Sequence, residues 1–176
     1  MLILLPIIGT ATAQNPSAPT SGPVTAPARG PVPPAIIAAR SIFVSNAGAD
    51  SGLFPKPFRG DTDRAYSQFF TGLKATGAFN IVLDPSDADL VLELKLLAPT
   101  GPKDPDKQKG GSEPVPEFRL TVYDRKSHYI LWTLIRSIGV ALLQKTHDRN
   151  FDDALSGLVQ DFLELAGKQA PPRPTP

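Results

Sequence analysis

Large apolar side chains alternate with polar or smaller ones in three stretches of the chain, and recur every three or four residues in two others. Phe79, Ile81 and Leu83 alternate with Asn80 and Val82, which predicts a short strand. Leu90, Leu92, Leu94 and Leu96 alternate with Val91, Glu93 and Lys95, which predicts a strand buried on one face and partly wet on the other. Phe118, Leu120 and Val122 alternate with Arg119, Thr121 and Tyr123. The tetrad Asp124-Arg125-Lys126-Ser127 then reads as a hairpin connection into a return strand from Tyr129 to Ile135 that carries Trp132. Ile42-Phe43-Val44 is a continuous apolar run bounded by Ser45-Asn46-Ala47-Gly48, the pattern of a strand covered on both faces.

One helical pattern follows the first of these strands and the other follows the last. Tyr66, Phe69, Phe70 and Leu73 fall on one face of a helix spanning 61–77, with Asp61, Thr62 or Asp63 at its N-terminus and Gly77 as its stop. Phe151, Ala154, Leu155, Leu158, Val159, Phe162 and Leu163 form the stripe of a closing helix, capped by Asn150 and ended by Gly167. Residues 138–149 fit either an extension of the preceding strand or a separate turn, and both stay open. The predicted order is β-α-β-β-β-β-α. It implies an α+β fold (an α/β sandwich): a single domain with a mixed, mostly antiparallel sheet of four or five strands and two helices on one face. The first strand–helix–strand unit should be parallel and the later strands antiparallel.

Proline divides this domain from its surroundings. Seven of the 21 residues from Gln14 to Pro34 are Pro, with almost no large apolar side chain, so the segment cannot offset its ordering entropy and reads as an extended linker. Residues 98–116 hold five Pro among mixed Lys and Asp and predict a flexible loop, and 167–176 hold four and predict a tail. Between them, 35–166 reads as one domain. At the start, Leu2–Ile8 is a short apolar run and Ala11-Thr12-Ala13 fits a signal-peptidase site, so 1–13 is expected to be a signal peptide and the mature chain exported, periplasmic or secreted. The run is too short to span a bilayer, so no integral membrane span is expected after its removal.

Composition narrows the chemistry. The 176 residues include no Cys and carry a net charge of +1. Thiolate nucleophiles, disulfides and a lipobox at the expected cut are thereby excluded, and nothing points to nucleic acid. The two His, His128 and His147, lack any nucleophile context, and no phosphate-cradling Gly-rich loop is present. No cofactor or metal is expected. Asp84, Asp87 and Asp89 lack the spacing of a calcium loop and fit an Asx-type turn.

The run FNIVLDPSDADLVLELKL, then FRLTVYDRKSHYILWTL, then NFDDALSGLVQDFLEL, resembles small uncharacterised bacterial envelope proteins. The residues that carry the likeness are Asp84, Pro85, Ala88, Asp89, Tyr123, Asp124 and Trp132. The layout is also similar to the N-terminal domain of the Tol–Pal periplasmic propeller protein and to curli-secretion-type lipoprotein domains. The resemblance implies an envelope location and a non-enzymatic part in an assembly.

The strongest candidate surface is the loop Leu53-Phe54-Pro55-Lys56-Pro57-Phe58-Arg59. Its prolines forbid regular structure, and Leu53, Phe54, Phe58 and Arg59 are of types that anchor interfaces. The alternative is that the two Phe fold back onto the sheet. The expected function is therefore a non-catalytic cell-envelope interaction or assembly module that docks a protein partner, through this loop or an open sheet edge. A binder of a small apolar or glycan ligand is the alternative; a hydrolase or metalloenzyme has the least support.

Overall fold

The computed structural model describes residues 30–50, 52–99 and 115–168. The expected signal peptide, most of the linker, nearly all of the 98–116 loop and the end of the tail lie outside the described residues. A short helix, α1 (Pro34–Ala38), opens the domain; Pro34 stands in its first turn, where a missing N–H breaks no helical bond, and Ile36 is buried. Five residues are too few to show a period, so the sequence pattern did not reveal this element. The chain continues through β1 (Ser41–Ala49), α2 (Arg64–Thr76), β2 (Asn80–Ile81), a 3-10 turn at Pro85–Asp87, β3 (Leu90–Leu97), β4 (Glu117–Asp124), β5 (Ile130–Ser137) and α3 (Gln144–Leu165).

The sheet order is β2-β1-β3-β4-β5. β1 runs parallel to β2 and β3, and β3, β4 and β5 are successively antiparallel. This is the expected single α+β domain with a mixed sheet, with α1 added to the two helices. The even positions of β3 (Leu90, Leu92, Leu94, Leu96) and of β4 (Phe118, Leu120, Val122) are buried with Ile42 and Val44. They meet Phe69 and Leu73 of α2 and Phe151, Leu155, Leu158 and Phe162 of α3 in one core. Each such side chain stabilises the fold by about 1.5–3 kcal/mol on burial. Both long helices lie over this face, α2 against β1 and β3, α3 against β4 and β5.

Three local expectations are corrected. β2 is two residues long, and Leu83, expected to point inward, is 87% exposed. Val82 N still donates to Ile42 O at 2.9 Å, but Asp84 then turns the chain away by accepting from Ser86 N at 2.8 Å. β1 runs on to Ala49 rather than stopping at Val44. The closing helix begins at Gln144, and Asn150 lies within it, its side chain donating to Gly139 O at 2.9 Å. Gly77 ends α2 in the left-handed region, φ 64°, as its position predicts.

The expected turn chemistry of the acidic residues is explicit. Asp89 Oδ2 accepts from the backbone N–H of Arg40 and Ser41 at 2.8 and 2.9 Å, tying the entry of β1 to the start of β3. Those two bonds hold its carboxyl below the usual carboxylate range.

Candidate functional site

β1 and β5 both end at the same end of the sheet, as their pairing through β3 and β4 requires. The loop that follows β1 contains the residues singled out from sequence. Leu53 and Phe58 are buried, Phe58 to 1% exposure. Phe54 is partly buried against the core. The Phe58 ring lies 5.0 Å from Phe151, which in turn lies 4.9 Å edge-on from Phe118. Phe54 closes the cluster at 6.3 Å from both Phe58 and Phe151, and His147 stands edge-on to Phe58 at 6.2 Å. Arg59 alone of the four points outward, its side chain 75% exposed.

Polar groups lock the loop onto α3. Arg59 N donates to Asp148 Oδ1 at 3.0 Å, and Gln144 Nε2 donates to Pro57 O at 2.6 Å. Arg64, 15% exposed, bonds Asp148 Oδ1 at 2.8 Å, Asp152 Oδ1 at 2.7 Å and the Arg59 carbonyl at 2.8 Å. Its guanidinium also sits 4.3 Å above the Phe151 ring. Burial pushes the Asp148 carboxyl up, but the bonds from Arg59, Arg64 and Gln144 outweigh it and hold the group below the usual carboxylate range. Asp148 and His147 are thus committed to packing the loop.

The segment after β5 does the opposite. Val140, Leu142 and Leu143 are all exposed, Leu142 completely at 102%. They precede the first turn of α3, where Leu143 occupies the cap position without a side-chain cap. Around them stand exposed Lys145 and Arg149, with Lys56 on the neighbouring loop. β5 leads directly into this tip. It is the outer strand of the sheet, and no described strand pairs with its free side. Ile130 and Ile135 are exposed along it, and Tyr129 just before it. A bulge falls between the pairs Val122–Trp132 and Tyr123–Ile130. Trp132 pairs with Val122 on the core side and is partly buried, whereas Tyr123 faces the helix-free side. The two aromatics of the hairpin therefore lie on opposite faces.

Sequence reasoning left the tip open because residues 138–149 fit both an extended strand and a separate turn. The available signal was three large aliphatic residues, at 140, 142 and 143. Among the described residues no helix is long and apolar enough to cross a membrane.

No family model matches the chain, and no curated protein matches its sequence. Solved structures are similar to it in fold. A DUF4136-family protein from Bacteroides thetaiotaomicron aligns with 76% of this chain and 92% of its own at 12% identity and a TM-score of 0.50. The PelC dodecamer from Paraburkholderia phytofirmans covers 81% and 95% at 16% identity and a TM-score of 0.41. TolB from Acinetobacter baumannii covers 71% of this chain and 28% of its own at 14% identity and a TM-score of 0.35. At such identities the likeness is one of fold: the chain shares the layout of a DUF4136-family domain.

Proposed function

We propose that this chain is a non-catalytic interaction module of the bacterial cell envelope, exported and docking a protein partner that adds an extended strand to β5. The observation that carries the reading is the eight-residue outer strand with exposed Ile130 and Ile135, continuous with the exposed aliphatic tip at Val140, Leu142 and Leu143. An edge of this length offers a row of main-chain donors and acceptors, and proteins that do not use such an edge generally cover or charge it. Here it is flanked by apolar side chains that a partner strand would bury. The signal-like start supports export. The non-catalytic part rests on the commitments of the titratable groups: Asp148 holds Arg64 and the loop, and His147 packs on Phe58.

The expected loop contributes less to this surface. Leu53 and Phe58 are spent on the core, which leaves Arg59 and part of Phe54 to face outward.

The test is crosslinking of the mature chain in its envelope fraction, followed by hydrogen exchange on the recovered complex. A single partner whose binding protects the β5 amides is the expected result. The Ile130→Lys/Ile135→Lys variant should lose that partner while keeping its fold, since both side chains are exposed. Retention of the partner by this variant removes the edge from the reading, and recovery of monomer alone from the wild type removes the assembly role.

A further inference from the structure

The helix-free face of the sheet holds a cleft of about 670 Å³ between the Pro85–Asp87 turn and the β4–β5 hairpin. Small-molecule sites commonly fall in the range of about 300–1,000 Å³ and combine an apolar floor with a few converging polar groups. Val91 and Tyr123 supply the floor, and Glu93, Asp124, Arg125, Lys126 and His128 stand around it. We propose that this cleft binds a small hydroxylated carboxylic acid of the uronic-acid class, its ring on Tyr123 and its acid group toward Arg125. The proposal rests on the cleft alone and does not require the docking reading of β5.

The chemistry divides by residue. Arg125 Nε donates to Ala88 O at 3.2 Å, which fixes the guanidinium plane while its terminal nitrogens bond nothing among the described residues. A planar fork held in this way suits a carboxylate. Lys126 lies near Asp89 and Asp124, whose carboxylates are held ionised by backbone N–H bonds, Asp89 from Arg40 and Ser41, Asp124 from Ser127 at 2.8 Å, so the lysine charge is already matched. Glu93 and Tyr123 form the complementary pair, Oη to Oε1 at 3.4 Å, a long bond with room for a competing hydroxyl. Burial, with the Glu93 charge behind it, pushes the phenol above its ordinary value, so Tyr123 stays a neutral donor and acceptor. Arg125, which forms no ion pair among the described residues, favours an acid; carboxylate and phenol acceptors favour hydroxyls; an aromatic floor favours the C–H face of a ring. A bare inorganic anion would use the first of these and a neutral sugar the other two.

The backbone supports the same site. His128 sits in the left-handed region, φ 60°, where the hairpin closes by its N–H donating to Asp124 O at 2.8 Å. Gly is the least strained choice at such a position, and His, with Asn and Asp, is among the side chains enriched there. At the rim of the cleft the imidazole gains a position from which to reach a ligand.

The experiment uses the full chain, labelled with nitrogen-15, titrated separately with D-glucuronate, D-glucose and acetate. Glucuronate is expected to shift the amides of Val91, Tyr123, Arg125 and His128 saturably, with roughly millimolar affinity. Arg125→Ala should weaken it about tenfold. His128→Gly, which the backbone accommodates without strain, should weaken it while leaving the spectrum folded. Absence of shifts at these residues overturns the site. Equal affinity for glucose overturns the acidic part of the assignment, and equal affinity for acetate overturns the sugar part.

Discussion

Two connections leave the same end of the sheet, and both are rich in large apolar residues. The loop after β1 turns Leu53 and Phe58 inward, whereas the segment after β5 leaves Val140, Leu142 and Leu143 in solvent. Apolar content does not separate them. What separates them is what each can reach. Phe58 finds Phe151 and, beyond it, Phe118, and the polar backbone around it is satisfied by Asp148, Gln144 and Arg64. The first turn of α3 has then been used to hold that loop, and its other side gives the tip no apolar surface to cover. The loop most suggestive in the sequence is largely a plug, and the segment whose pattern was ambiguous is the exposed surface.

The sharpest way to test this contrast is to truncate one residue on each side. Phe58→Ala should cost about 3–5 kcal/mol in urea denaturation, because a fully buried ring leaves a cavity among Phe54, Phe151 and His147. Leu142→Ala should change stability by no more than about 0.5 kcal/mol, because Leu142 is fully exposed. Comparable losses at both positions would show that the tip is packed in solution.

Next in size is the tie that keeps the loop folded in. Arg64→Ala removes partners from Asp148, Asp152 and the Arg59 carbonyl together, and should cost about 2–3 kcal/mol. The same tie gives an acid limb. Asp148 and Asp89 both titrate below their ordinary range when folded. As pH falls, the unfolded chain therefore takes up protons first, at about pH 4, and stability drops until the folded groups protonate too. Urea midpoints should be level above about pH 5 and decline below it. Arg64→Ala should flatten the part of that decline due to Asp148.

A smaller effect concerns the outer strand. Arg136 pairs with Asp161 at 2.9 Å and its guanidinium lies flat against Gly157 of α3, so that a Cβ there would collide with it. Gly157→Ala should gain little in the wild type, but about 1 kcal/mol in an Arg136→Ala background, where helix propensity is no longer opposed. A gain of equal size in both backgrounds would mean that Arg136 does not hold β5 to the helix. Smallest of all in stability is Leu142→Ser/Leu143→Ser, which should leave the urea midpoint unchanged while abolishing the partner crosslink.

Most of the framework was legible because it is periodic. Leu90 to Leu96 bury every second residue as their alternation predicts, Phe118, Leu120 and Val122 are buried as expected with Thr121 buried beside them, and all seven apolar residues assigned to the closing helix are buried. The start of that helix was not legible: Gln144, Lys145, Thr146, His147, Asp148 and Arg149 have no apolar stripe, and they are helical because Pro57, Phe58 and Arg64 supply partners across the chain. Leu83 was misplaced for the converse reason. Its alternation was sound, but the Asp84 turn removes the chain from the sheet before that position can be used.

The sequence by itself determined which residues form the core of the sheet, the two long helices, the mixed direction of the strands and the break points at proline and glycine. These depend on spacing along one chain, which local physics reads without knowing the neighbours. The tertiary structure alone decided that Phe58 is buried and Leu142 is not, that Trp132 and Tyr123 face opposite ways, and that Arg125, Lys126 and His128 gather around one cleft. Such outcomes depend on which surfaces meet across long separations, and a side chain of given hydrophobicity goes inward only where another element arrives to cover it.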